Sequence, residues 1–196
     1  KNKQNIFFSA TISPTIMELA GTILFDPVNV RVTPVSSTAE IVEQFVYYVE
    51  KAEKRAFLKQ LIKSENISHA IVFTRTKHGA DRVARELTKS GHKAEAIHGD
   101  KSQNARERAL AGFKNRTVNF LVATDIASRG IDIDQLEYVI NFEIPEVAET
   151  YVHRIGRTGR AGSSGIAYTM CSSEEKNYLK AIQKLINQQI PERKLK

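Results

Sequence analysis

Three arginines recur at every third position in His153-Arg154-Ile155-Gly156-Arg157-Thr158-Gly159-Arg160, two of them directly after glycine. Glycine lets a backbone lie close to another surface, and a guanidinium fork grips a phosphate through two parallel hydrogen bonds. Arginines set this way suit the charge that develops on a phosphoryl group in transfer. The string also fits a solvated basic helix end that runs into the Gly-rich turn Arg160-Ala161-Gly162-Ser163-Ser164-Gly165. For an arginine cluster taken alone, that second reading is the commoner.

Lys and Arg exceed Asp and Glu by 29 to 22 over 196 residues, a net charge of +7. Such an excess suits a polyanion, because each neutralised phosphate releases condensed counterions. It suits a plain basic surface equally well. The composition, 41% hydrophobic and 26% charged, is that of a globular domain with a real core. No apolar run approaches the roughly 18 residues of a membrane span, and no signal-peptide core follows the first residues. Cys171 is the only cysteine, which excludes an internal disulfide and a thiolate zinc cluster and makes a reducing cytoplasm the simplest setting. His69, His78, His92 and His98 show no metal-ligand spacing, so no metal site is expected.

The elements that must position these residues alternate beyond residue 40. Strands are expected at Ile41–Val49, Ile71–Thr74, Lys93–Ile97, Val118–Ala123, Tyr138–Phe142 and Ile166–Cys171. Helices are expected at Lys54–Ser64, Gly79–Ser90 with Gly91 at its C′ position, Ser102–Lys114 and Val147–Ile155. A capping box of Ser172 and Glu175 opens a last helix, expected to run to about Gln189 before Pro191. Strands alternating with helices mean βαβ units, an α/β fold with a parallel sheet sandwiched between helices. Ligands in such sheets lie beyond the carboxyl ends of the strands. Chemistry is therefore expected at Thr76 and Lys77, His98 to Asp100, Thr124 to Asp132, and Asn141 onward.

The first residues break this alternation. Ile6–Phe8 and Val28–Val32 read as strand pieces around a helix at Pro14–Leu24, and Thr33–Thr38 reads as a linker.

The arginine string resembles motif VI of the DEAD-box RNA helicases, residue for residue. The resemblance extends along the chain. Ser9-Ala10-Thr11 looks like motif III and Ile71-Val72-Phe73-Thr74-Arg75-Thr76 like motif IV. Gln103-Asn104-Ala105-Arg106 fits the Q-x-x-R motif, and Leu121 to Asp132 looks like motif V. All occur in the family order, and the detail around Thr74 to Ala80 is most similar to the bacterial RhlE-type subgroup.

The resemblance implies a RecA-like fold divided three ways. Residues 1–33 would be the remnant of a first RecA-like lobe, 34–40 the linker between lobes, and 41–196 the helicase C-terminal lobe. It implies that two lobes close around one ATP, with Mg2+ held mainly by the first lobe, and one RNA strand. Arg157 and Arg160 would be arginine fingers on the γ-phosphate. Gly130 and Asp132 would complete the ATP site, Asp132 receiving ribose hydroxyls, although Gly-x-Asp is also common in turns. Thr76, Gly99, Gln103, Arg106 and Thr124 would hold RNA sugar-phosphate groups. Gln103 and Arg106, at i and i+3 on a first helical turn, can face one strand beside the positive helix end. Ser9, Thr11, Arg129 and His153 would couple the lobes.

The sequence contains no G-x-x-x-x-G-K-[ST] loop and no Asp-Glu-Ala-Asp box. ATP hydrolysis is therefore expected of a longer parent and not of this segment alone. Two other readings compete: a nucleotide-independent RNA-binding or annealing module, and a lobe of a related superfamily-two DNA translocase, against which His153 and Ser9-Ala10-Thr11 argue. Phe7, Phe8, Ile16, Leu19, Ile23 and Leu24 are expected to cover an apolar patch on their own lobe or to pair with a second molecule.

Overall fold

Short runs rich in apolar residues form six strands: β1 (Val42–Tyr48), β2 (Ala70–Thr74), β3 (Ala94–Ile97), β4 (Phe120–Thr124), β5 (Tyr138–Asn141) and β6 (Gly165–Cys171). The structure is a computed structural model that describes residues 3–9, 12, 14–30, 42–128, 133, 136–159 and 165–195. The strands pair in the order β1-β6-β5-β2-β4-β3, and every pairing is parallel. The helices are α1 (Pro14–Ile23), α2 (Lys54–Ser64), α3 (Lys77–Lys89), α4 (Gln103–Lys114), the short α5 (Asp125–Ser128), α6 (Ala148–Ile155) and α7 (Lys176–Ile186).

Successive strand residues point to opposite faces, and the core divides accordingly. Val72, Val122 and Ile140 pack with Leu58, Leu61 and Ile62 of α2 and with Val83 and Leu87 of α3. Their neighbours Ile71, Phe73, Leu121 and Val139 pack on the other face with Ala109 and Phe113 of α4 and Ala127 of α5. A sheet buried on both faces needs continuous apolar strands, which is why β2 and β4 are buried at every position. The helices α6 and α7 pack on one another. No helix among the described residues is long and apolar enough to cross a membrane.

Local signals stop and start the helices. Thr76 caps α3 and Ser102 caps α4, each accepting the backbone N–H three residues on. Gly91 takes φ +87° just after α3, a conformation costly for residues with a Cβ. The capping box of Ser172 and Glu175 forms as expected, ahead of a 3₁₀ turn at Ser173–Glu175. The last helix ends at Ile186, short of Gln189, because Asn187 takes the left-handed conformation, φ 51°. Beyond it, Val46 N–H donates to Pro191 O and Arg193 N–H to Val46 O, both at 2.9 Å. The segment thereby makes a parallel bridge along the outer side of β1. The Arg193 guanidinium lies over the Phe45 ring at 4.6 Å and pairs with Glu65 at 3.1 Å.

The chain divides into two compact units, Lys1–Val35 and Ser36–Lys196. The first holds α1, and Ile6–Phe8 and residues 28–30 carry no ladder, since no strand edge among this unit's described residues pairs with them; residues 31 and 32 of the second expected strand lie outside the described residues. Several of its apolar side chains are exposed, Phe8 at 88% and Phe25 at 99%, while Phe7, Ile16 and Leu24 are half-buried. The expected linker at 34–40 lies outside the described residues.

One charged hub is buried inside the second unit. Lys54, 2% exposed, donates through Nζ to the carbonyls of Phe142 (3.0 Å) and Met170 (2.9 Å) and to Glu175. Glu175 also accepts Ser172 N–H and Oγ–H, each at 3.0 Å, and Ile144 N–H at 3.2 Å. Burial pushes the Glu175 carboxyl up, but Lys54 and the Ser172 donors outweigh it and hold the group below its ordinary 4.5. A carboxylate depressed on folding contributes stability that is complete above the unfolded value and lost as pH falls through the folded one.

Two outcomes follow for chemical unfolding. Lys54→Met, which strands a buried carboxylate, should cost about 3–5 kcal/mol in urea titration, and adding Glu175→Gln should recover part of the loss. The stability gap between wild type and Glu175→Gln should be full above about pH 4.5 and close on further acidification.

Candidate functional site

Parallel strands deliver their carboxyl ends to one rim, and register decides which loops become neighbours there. Thr74 of β2 stands opposite Thr124 of β4, and Ile97 of β3 opposite Ala123. Phe73 stands opposite Asn141 of β5. The loop holding Thr76, the turn holding Gly99 and the end of β4 are thereby set side by side.

Each of these loops is braced from below. The Thr76 hydroxyl accepts Gly79 N–H at 3.0 Å, and its carbonyl accepts the Thr74 hydroxyl at 3.2 Å. A Cβ at Gly79 would stand 2.9 Å from Thr76 Oγ1, so a side chain there would displace the cap. The β3–α4 turn is pinned by Asp81 of α3, which pairs with Lys101 at 2.9 Å and approaches the buried His98 at 3.1 Å. Burial pushes the Asp81 carboxyl up, yet Lys101 and His98 beside it leave it below its ordinary range. Gly99 is exposed, and a Cβ placed on it would meet nothing within 4 Å. Nothing inside the lobe demands a glycine there; an outside surface that comes close would.

On the first turn of α4, Arg106 Nη1 donates to Gln103 Oε1 at 3.4 Å, while Gln103 Nε2 donates to Glu107 at 2.8 Å. The two side chains meet, as their i, i+3 spacing required. The Arg106 Nε is buried and has no hydrogen-bond partner. Thr124, at the end of β4, is 8% exposed.

The arginine string divides in two. Arg154 is buried and spends its guanidinium inside the lobe. Nε and Nη2 donate to the two oxygens of Asp125 at 2.6 and 2.8 Å. Nη1 donates to the Glu143 carbonyl at 2.6 Å and to Asn141 Oδ1 at 3.3 Å, and the group lies 5.1 Å over the Phe73 ring. Of the three arginines that spacing alone offers to phosphate, this one is structural. Arg157 is half-buried just past the end of α6. Its carbonyl accepts Leu136 N–H at 3.2 Å, and the Thr158 hydroxyl donates to the Leu136 carbonyl. A Cβ at Gly165 would collide with Thr158 Oγ1 and the Gly159 amide, so β6 can pass beneath this turn only as glycine.

Of the other expected site residues, His153 is half-buried on α6 and Ser9 is exposed in the first unit. Thr11, Arg129, Gly130, Asp132 and Arg160 lie outside the described residues. Sequence reading missed the pairing of Arg154 with Asp125, and the part that Glu143 plays. The rule that chemistry follows the strands did point to the segment from Asn141 onward, where Glu143 sits.

The helicase conserved C-terminal domain family matches residues 53–162. The DEAD-box ATP-dependent RNA helicase CshA of Bacillus subtilis (strain 168) is 42% identical over 92% of this chain, which spans only 36% of that protein. The Escherichia coli DEAD-box protein SrmB, solved with regulator of ribonuclease activity A, is 33% identical, with a TM-score of 0.72 over 78% of this chain and 89% of that one. Saccharomyces cerevisiae Dbp5 bound to RNA and ADP BeF3 is 28% identical, with a TM-score of 0.84 over 95% of this chain and 50% of that one.

Asp125→Ala should leave the Arg154 guanidinium buried without its counter-charge and lower stability by about 3 kcal/mol. Arg154→Lys should not rescue the fold to wild-type stability, since an ammonium cannot grip both carboxylate oxygens and a carbonyl in one plane. Thermal and urea unfolding of the two variants check this.

Proposed function

Given that the chain belongs to the DEAD-box family, as its helicase conserved C-terminal domain, we propose that it is the C-terminal RecA-like lobe of an ATP-dependent RNA helicase. In this reading ATP binding and hydrolysis drive local unwinding of an RNA duplex. The observation that carries it is the gathering of Thr76, Gly99 and Thr124 along one rim of the sheet, with Gln103 and Arg106 on the helix that follows the Gly99 turn. CshA is named an ATP-dependent RNA helicase, and Dbp5 was solved with RNA and ADP BeF3; the reading extends both to this chain.

The rim suits an RNA backbone. A threonine hydroxyl, exposed main chain at a glycine, an amide and an arginine contact sugar and phosphate without reading base edges. Binding is then largely independent of sequence and weakens steeply with salt, as the net charge of +7 also favours. On the nucleotide side, Gly130, Asp132, Arg157 and Arg160 clasp ATP, and Arg157 and Arg160 neutralise charge on the transferring phosphoryl group. Ser9, Thr11, Arg129 and His153 serve coupling between this lobe and the first RecA-like lobe. Among the described residues no group of three His, Cys, Asp or Glu side chains could hold a metal ion. On the family resemblance the Mg2+ that accompanies ATP is assigned mainly to the first lobe, and no step here runs through it. A cytoplasmic setting suits Cys171, whose thiol burial pushes up to about 11, so that it stays protonated and unreactive.

In the full-length protein, Arg157→Ala should lower RNA-stimulated ATP turnover by a factor on the order of 10³ or more. Nucleotide-independent RNA affinity and the melting temperature should hardly change. Turnover near that of wild type overturns the assignment. Tight RNA binding by residues 1–196 alone, without nucleotide and near physiological salt, would favour an RNA-binding module instead.

A further inference from the structure

The two halves of the proposed site stand on different elements, with Thr76 on the β2–α3 loop and His153 and Arg157 on and just after α6. One residue touches the supports of both. Glu143 lies in the connection from β5 to α6 and is half-buried. Its carboxylate Oε2 accepts the N–H of Arg75, the residue before Thr76, at 2.8 Å. The same oxygen would stand 3.7 Å from a Cβ on Gly79, so it faces the first turn of α3. Its main-chain carbonyl accepts Arg154 Nη1 at 2.6 Å, and Arg154 clamps Asp125, the residue after Thr124. Its own N–H donates to Phe73 O at 3.3 Å, at the end of β2. The Arg75 side chain turns elsewhere, to Glu146 and to Glu175, each at 3.6 Å.

The geometry points to Glu143 as a positioning residue that couples the RNA-side loop to the nucleotide-side helix. This rests on the helicase reading above. A shift of Thr76 as RNA seats against it moves the Arg75 amide, and that amide is held by the residue whose carbonyl sets the Arg154 guanidinium. Arg154 in turn fixes the end of α6 from which Arg157 projects. Coupling of this kind is a free energy shared by two sites, so it must act equally in both directions, and it needs direct evidence of linkage and not mere adjacency. The link on the Arg75 side is a hydrogen bond from a main-chain amide to an oxygen. An amide oxygen can replace the carboxylate there; a methyl group cannot.

The test uses the full-length protein, a single-stranded RNA and ATP. Glu143→Ala should leave RNA-independent ATP turnover and the melting temperature near wild type while lowering the fold-stimulation by saturating RNA about tenfold. The gain in RNA affinity on adding a non-hydrolysable ATP analogue should shrink as well, and by reciprocity the gain in affinity for that analogue on adding RNA should shrink by the same factor. Glu143→Gln, which keeps the acceptor, should restore both. If Glu143→Ala does not fold, Glu143→Ser, polar but too short to reach Arg75, carries the same comparison. Equal loss of basal and stimulated rates, or full stimulation in the variant lacking the acceptor, overturns the coupling role and leaves the helicase reading standing. A wild-type protein that RNA does not stimulate overturns both.

Discussion

A guanidinium taken out of water must have its donors met where it lies, and in this lobe that requirement falls on Arg154. It is satisfied only when the start of α5, the end of β5, the Glu143 carbonyl and the ring of Phe73 all stand around it at once. Those groups come from three separate stretches of chain, around Phe73, Asp125 and Asn141 to Glu143. The interaction therefore acts as a condition on the fold: strand register, the short α5 and the approach of α6 must agree before the charge can be buried at all. The neighbouring arginine string depends on that condition. Arg157 follows directly on the helix end that Arg154 anchors.

A second hub works differently. Lys54 and Glu175 join α2, the carbonyls at the ends of β5 and β6, and the cap of α7. Lys54 fills its remaining donors with main-chain carbonyls and Glu175 its acceptors with main-chain amides and the Ser172 hydroxyl, which is what makes a buried ion pair tolerable. Glu175 does two jobs at once, closing the capping box with Ser172 and countering Lys54. Between them the two hubs tie down the carboxyl rim of the sheet, where the loops would otherwise be the loosest part of the lobe.

Local signals in the sequence foretold most of the elements. Gly91 after α3 and the Ser172–Glu175 capping box each act within one turn of chain, so their residue types are enough. The rim residues Thr76, Gly99 and Thr124 were legible because a parallel sheet puts ligand-facing loops after its strands. What escaped depends on partners distant in sequence. Arg154 looks like its neighbours Arg157 and Arg160 until Asp125 is known to meet it from 29 residues away. The strand expected at Ile6–Phe8 failed for the same kind of reason, since β-propensity produces a strand only where another edge offers hydrogen bonds. The end of α7 was misjudged because an Asn in the left-handed region stops a helix as well as a glycine does, and Pro191 drew attention past it.

Consider finally the residues that lie along β1. The outermost strand of a sheet carries a row of unused amides and carbonyls, a template on which other chains can stack sideways. Here Pro191, Glu192 and Arg193 occupy that row around Val46, and proline brings no N–H of its own to offer to the next comer. Glu192 and Arg193 add charge of both signs to the new margin. The bridge thus covers part of the margin on which lateral association would start.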